Sequence, residues 1–200
     1  MWNSLSLLLP PRKGFRILMY HKISSSHGDG LAVTVDQFKK QIAWIRHQGF
    51  SFLKGGELSS IIKARGPLPS NKVLITFDDG YADTAREFFP EIENLQVPIV
   101  VFLPVFYIGK VNSWDGKQEK IVSGTDISYW SSKNVEFGLH SYSHRNYSEM
   151  SSKMGGDTGW ADIRNDLKAC IAGLRGLNVN LVRAFAYPYG GIHRSPDDKQ

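Results

Sequence analysis

Cysteine is nearly missing from this chain: Cys170 stands alone among 200 residues. No disulfide can form within it, so stability has to come from a packed core. Cys170 also falls on the apolar stripe of an expected helix, where a thiol acts as a small buried hydrophobe rather than a nucleophile. Blocks of five or six basic residues are absent, and the net charge of +5 is spread along the chain. That excludes the concentrated footprint of a nucleic-acid binder, while an anionic partner stays compatible with it. No stretch approaches the roughly 20 apolar residues of a membrane span. The segment from Met1 to Pro11 has no basic lead, and Leu7-Leu8-Leu9 falls short of the roughly 7–15 apolar residues of a secretory signal. As it stands, the sequence reads as cytoplasmic. Internal repeats and low-complexity tracts are missing too, which excludes a solenoid.

What is present is an ordinary globular composition, 42% hydrophobic and 22% charged, long enough for one domain over residues 1–200 with a sizeable core. Phe15 to Tyr20 reads as a first strand, with His21 just past its end. Thr34 with Gln37 makes a capping box. Val35, Phe38, Ile42 and Ile45 then share one helical face until Gly49 closes the helix. A short strand at Phe50 to Leu53, a helix from Glu57 to Ala64 and the connector Gly66-Pro67-Leu68-Pro69 follow. Val73 to Phe77 and Val97 to Leu103 are continuous apolar runs, hence buried strands. The helix between them, Tyr81 to Leu95, should be disturbed near Pro90. From Pro104 to Asp126 the periodicity is lost, and Phe106, Tyr107 and Trp114 mark a binding loop there. Val135 to Leu139 is the next strand. Trp160, Ile163, Leu167, Ile171 and Leu174 form an amphipathic stripe, and Val182 to Tyr187 is a last strand. Strands alternating with helices predict a parallel α/β sheet, open or closed into a barrel.

Two short stretches carry the chemistry. Thr76-Phe77-Asp78-Asp79-Gly80 puts adjacent carboxylates at a strand end. Successive side chains of an extended chain point to opposite sides, leaving one carboxylate to face a metal and the other a substrate. His140-Ser141-Tyr142-Ser143-His144 holds two imidazoles four residues apart, which on one helical turn would share a face and reach one ion. Two histidines and one carboxylate make a three-ligand divalent site with a position open to water, the mark of a catalytic metal. His21, Asp78-Asp79, His140 and Pro188-Tyr189 each follow an expected strand, where α/β folds build their sites.

Together these stretches resemble the polysaccharide deacetylase family, the NodB-homology or carbohydrate esterase 4 group. Phe185-Ala186-Tyr187-Pro188-Tyr189-Gly190 resembles its Pro-Tyr-Gly block. Leu18-Met19-Tyr20-His21 resembles the histidine segment of the circularly permuted subgroup acting on poly-N-acetylglucosamine. The resemblance spans roughly residues 15 to 191. It implies a distorted (β/α) barrel with fewer than eight strands, and, since family domains often run on past this block, a barrel truncated near Gln200. It implies Asp79, His140 and His144 as ligands of one divalent ion, Zn²⁺ by default, with Co²⁺, Ni²⁺ or Fe²⁺ compatible with the same ligands. Asp78 would be the general base and His21 the acid protonating the departing amine. The backbone N–H of Tyr189, set by Pro188, would help hold the oxyanion, and Trp114 would offer a sugar-stacking face. The implied reaction is removal of N-acetyl groups from amino sugars of a glycan or glycan precursor.

Each residue also has an ordinary structural reading. The histidine pair could be a polar helix surface, Asp78 a helix cap, His21 a core residue beside Tyr20, Trp114 the cover of a core edge, and Tyr142 mere packing. Many family members carry an arginine shortly before the proline to orient the base, where this chain has Ala186-Tyr187. Arg183 is close but unassigned in direction. Two rival functions stay open: a non-catalytic glycan-binding domain on the same fold, and a Mg²⁺-phosphate site on the aspartate pair, which would leave both histidines without a role.

Overall fold

A computed structural model of the chain describes residues 15–24, 30–133, 135–154, 156–177 and 179–191. The main sheet is parallel throughout. Its strands are β1 (Phe15–Tyr20), β4 (Ser51–Phe52), β5 (Lys72–Phe77), β6 (Ile99–Leu103), β7 (Val135–Leu139) and β8 (Leu181–Phe185). The order runs β1-β5-β6-β7-β8, with β4 also paired to β5. β2 (Lys22–Ser24) and β3 (Ala32–Thr34) form a separate small parallel pair. Among the described residues β1 and β8 are the two ends of the strand order, so the sheet is an open one. Ile17 and Met19 lie exposed on one face of β1.

The continuous apolar runs are explained by cover on both faces. On one face Val73, Ile75, Phe77, Val101 and Leu103 pack against α1 (Val35–His47), α3 (Ala82–Leu95), α4 (Gly124–Ser131) and α6 (Gly156–Arg175). These helices contribute Phe38 and Ile42, Phe88 and Ile92, Ile127 and Trp130, and Cys170 and Leu174. On the other face Leu74, Val100, Phe102 and Val182 meet Leu53 and Leu58, the latter on α2 (Gly55–Lys63). Cys170 is fully buried, as the apolar stripe requires. α1 begins with the capping box read from the sequence, Thr34 and Gln37 bonding reciprocally at 2.8 and 3.2 Å. α2 has no capping side chain of its own; the Glu136 carboxylate on β7 receives the Gly55 and Gly56 N–H groups at 2.6 and 2.9 Å instead. An anion there also suits the helix dipole.

Two expectations need correction, and one helix is added to them. α3 is continuous from Ala82 to Leu95, because Pro90 sits on its exposed side. There water can satisfy the Arg86 carbonyl that the missing N–H leaves behind. The stretch 104–126 is not wholly irregular: it holds a 3-10 turn at Val105–Tyr107 and ends in the start of α4. A further helix, α5 (Tyr147–Met154), follows the histidine motif. No helix among the described residues is long and apolar enough to cross a membrane.

Strand register gathers the motif residues. Tyr20 pairs with Phe77, and the Asp78 N–H bonds to the Tyr20 carbonyl at 2.9 Å, so His21 leaves the sheet beside Asp78. Leu103 pairs with Leu139 and Leu139 with Phe185. The His140 N–H bonds to the Leu103 carbonyl and that of Ala186 to the Leu139 carbonyl. All four motif blocks therefore emerge at the C-terminal edge of one sheet.

Candidate metal centre and active site

After β5 the chain reverses within two residues. Asp79 and Gly80 both take positive φ, 71° and 72°, and the Gly80 N–H bonds back to the Asp78 carbonyl at 2.9 Å. Only glycine fits the second position, since a Cβ there would lie 2.3 Å from Leu103 Cδ2. The turn sends Asp79 toward the end of β7. Its Oδ1 lies 3.3 Å from His140 Nε2 and 3.0 Å from His144 Nε2. One ligand atom from each of the three buried residues falls within 4.8 Å of the others.

The protonation of this group suits a cation. His140 Nδ1 is 2.9 Å from the Ala186 carbonyl oxygen, a distance at which the nitrogen donates and so carries the proton. In a neutral ring Nε2 is then a lone pair facing a carboxylate oxygen, and that contact becomes attractive with a proton on Nε2 or a metal cation between the two. Asp79 Oδ1 correspondingly has no hydrogen-bond partner among the described residues. Burial alone would raise the Asp79 pKa, but the imidazoles of His140 and His144 outweigh it and hold the carboxyl well below its usual range. Burial lowers the pKa of His144 against the pull of Asp79. An ionised carboxylate facing two imidazole nitrogens is a donor set that a divalent ion can take. Asp78 is shifted the other way: burial raises its pKa, Asp79 adds to the rise, and His140, His21 and His144 oppose it. Adjacent in sequence, the two acids occupy opposite electrostatic settings.

The histidine motif is not helical, contrary to the expectation of a shared helical face. Ser141 and His144 take φ of 61° and 57°. The reason is Asp166 on α6, a residue the sequence reading did not single out. Its buried carboxylate accepts from Ser141 Oγ at 3.2 Å, Tyr142 N at 2.8 Å and Tyr147 Oη at 2.6 Å, with Cys170 Sγ at 3.6 Å. Ser141 Oγ in turn accepts from Arg145 N at 2.9 Å. The turn is thus bound on both sides of His144, which returns the ring to Asp79. Asp166 was traceable in principle: it lies three residues after Ile163 and four before Cys170, an acid on the buried face of a helix. Asp166→Asn keeps the shape but turns one acceptor into a donor facing donors. We expect it to cost about 3 kcal/mol in urea denaturation, given that bonds to a charged group contribute roughly 1.5–3 kcal/mol each. A loss below about 1 kcal/mol would mean that the turn is held elsewhere.

The other candidates sit around the triad. His21 is half-buried, next to Asp78 through the strand register. Asp78 is buried, and its Oδ1 has no partner among the described residues. Pro188 is buried, while Tyr189 takes φ of 59°, is largely exposed and sets its ring edge-on to His144 at 4.8 Å. Trp114 stacks on His144, centroids 4.1 Å apart and planes 19° from parallel. One Trp114 face is therefore taken up by a metal-ligand candidate and is closed to a sugar. Arg183 is exposed on β8 and does not supply the cation that family members place beside the base.

The Trp114 loop is pinned from below. Asp115 accepts from Tyr81 Oη at 3.1 Å, Asn112 Nδ2 at 2.9 Å and Lys117 N at 3.0 Å. Burial, with the nearby Asp79 charge, pushes the Tyr81 phenol pKa up, so it remains a donor. Lys22, buried one residue after His21, pairs with Glu119 and lies 4.3 Å from the Tyr81 ring centre. Lys22 and Tyr81 escaped the sequence reading, since nothing local marks a contact with a residue 97 positions away.

A family model described as polysaccharide deacetylase matches residues 65–198, a window holding both aspartates, both histidines and the Pro-Tyr-Gly block. The Bacillus subtilis protein YxkH is 34% identical over 113 residues, 56% of this chain and 39% of YxkH. The poly-β-1,6-N-acetyl-D-glucosamine N-deacetylase of Staphylococcus epidermidis is 27% identical over 171 residues, 84% of this chain and 56% of that protein. The chain thus spans less than two thirds of either relative. Among solved structures, IcaB from Ammonifex degensii superposes with a TM-score of 0.75 at 25% identity, over 94% of this chain and 78% of that one. With the family model covering the greater part of its length, the chain belongs to the polysaccharide deacetylase family.

Proposed function

We propose that this chain is a metal-dependent hydrolase that removes N-acetyl groups from amino sugars of a glycan. The carrying observation is the convergence of Asp79, His140 and His144 on one point, with Asp78 and His21 at the same sheet edge. Asp79, His140 and His144 would hold a divalent ion, Zn²⁺ by preference. Such an ion lowers the pKa of water from 15.7 to roughly 7 and polarises the amide carbonyl. Asp78, unpartnered at Oδ1 and raised in pKa by burial, takes the proton of the attacking water. His21 gives a proton to the amide nitrogen, which then leaves as a neutral amine. The left-handed Tyr189, set by Pro188, contributes its N–H to the developing oxyanion. The relatives named for N-deacetylation of poly-N-acetylglucosamine support the substrate class.

Acetate release from N-acetylglucosamine oligomers tests this reading. Chelation is expected to lower the rate at least about a hundredfold, with recovery on adding Zn²⁺ or Co²⁺, because the ion supplies several kcal/mol to the transition state. Release indifferent to chelator would overturn the metal assignment. Oligomer binding with no release under any ion would make the chain a glycan-binding module instead.

A further inference from the structure

The two histidines of the centre are anchored in different ways. A ring that binds metal through one nitrogen is normally oriented by a hydrogen bond from the other. His140 has that bond, from Nδ1 to the Ala186 carbonyl at 2.9 Å. His144 Nδ1 is buried and has no hydrogen-bond partner among the described residues. Its Nε2 nevertheless faces Asp79 Oδ1 at 3.0 Å, so something else sets the ring.

What lies flat against it is Trp114. The indole and imidazole planes are 19° from parallel, with centroids 4.1 Å apart. His140 and Tyr189 meet the same imidazole edge-on, at 4.9 and 4.8 Å. Edge contacts tolerate tilting, whereas a stack sets the plane of a ring. Trp114 is itself well held. It lies in a hairpin closed by the Asn112 N–H on the Glu119 carbonyl and the Ile121 N–H on the Lys110 carbonyl, each at 2.9 Å. Tyr107 sets its ring edge-on to the indole at 5.0 Å, and Tyr107 Oη and Ser113 Oγ share a hydrogen bond of 2.5 Å. Asp115, the next residue, accepts from Tyr81 Oη at 3.1 Å. Tyr81 stands two residues past Asp79, so the indole and the carboxylate are tied to the same strand end.

We propose that Trp114 is a positioning residue of the metal centre: its face sets the plane of His144, in place of the outer hydrogen bond this ring lacks, and so keeps Nε2 aimed where Asp79 and His140 converge. The role rests on the metal assignment and adds a residue to it. His140 is oriented by a bond to one atom, His144 by contact over a surface. Contact of that kind calls for a flat ring and not for the indole N–H.

Competition against a chelator of known Zn²⁺ affinity tests the role. Trp114→Ala should weaken Zn²⁺ binding about 10- to 100-fold, the usual cost of losing an outer partner of a ligand. Trp114→Phe keeps a flat face and should stay within about threefold of the native affinity. Trp114→Leu, with apolar bulk but no face, should bind as weakly as the alanine variant, and it replaces that variant if the latter fails to fold. Thermal melting of the metal-free chains identifies the folded ones. Saturating Zn²⁺ should return kcat/KM of Trp114→Ala for acetate release to within about threefold of native. A KM raised at every Zn²⁺ concentration, with Zn²⁺ affinity unchanged, would make Trp114 a substrate contact and overturn the role. Native affinity in a folded Trp114→Leu chain, or a Trp114→Phe chain as weak as the leucine one, would overturn it as well. A native chain that takes up no Zn²⁺ would overturn the metal assignment, and the role with it.

Discussion

Alanine in place of His140 is expected to abolish stoichiometric Zn²⁺ binding and to lower kcat/KM roughly a thousandfold or more, the rate equivalent of the several kcal/mol a Lewis acid supplies. The expectation follows from how little else could hold an ion. Asp79, His140 and His144 are the described residues whose ligand atoms converge, and each is buried. Removing one leaves two ligands, and it also strips the Ala186 carbonyl of its 2.9 Å partner at Nδ1. That second loss is a fold effect, so metal content has to be measured alongside thermal melting. His140→Gln retains a polar group of similar reach and helps to separate the two losses. Full Zn²⁺ content in a folded His140→Ala chain would remove this histidine from the ligand set.

Asp78→Asn should behave in the opposite way: metal retained, and rate lowered roughly 10²- to 10⁴-fold, the usual worth of a positioned general base. The substitution is nearly isosteric, and since Oδ1 has no partner among the described residues, little bonding is lost there. Stability should even rise. An acid whose pKa is raised on folding, here chiefly by burial, holds its proton more tightly when folded. Its contribution to stability is therefore present at low pH and lost as pH rises through the carboxylate range. Asparagine escapes that loss. Denaturation of the metal-free chains at pH 3 and pH 7 should show the gain of Asp78→Asn growing toward pH 7. A variant that kept both its metal and its full rate would refute the base assignment, and one that lost its metal would place Asp78 among the ligands.

The sheet was legible because its signal is local. Val73 to Phe77 and Val97 to Leu103 are apolar at successive positions, a pattern that strands buried on both faces require, and β5 and β6 lie within them. The capping box at Thr34 likewise needs only three residues to be seen. The same signal stood at Ser123 and Asp126, which bond reciprocally at the start of α4, but no apolar periodicity followed to draw attention to it. What local sequence could not convey was the path between His140 and His144. Four residues apart suggests a helix; the turn seen depends on Asp166, which enters from a distant helix. The missing arginine remains a true departure: Arg183 is exposed on β8, and His140, His21 and His144 are the groups that oppose the rise in the Asp78 pKa.

Lys22, Tyr81, Asp115 and Glu119 have a dynamic consequence. Lys22 follows His21, Tyr81 follows Asp79 by two residues, and Asp115 and Glu119 lie just after Trp114 in its loop. A loop held only at its ends would open as an independent flap, with amides exchanging quickly with solvent. This one is joined through buried groups to the strand ends that bear the reactive residues. Raising Trp114 off His144 means parting Tyr81 from Asp115 and exposing a buried ammonium. The loop and the ends of β1 and β5 therefore open as one cooperative unit, and their amides exchange together. Among the described residues this loop is therefore no separate door, and access to the metal centre does not depend on its swinging open alone.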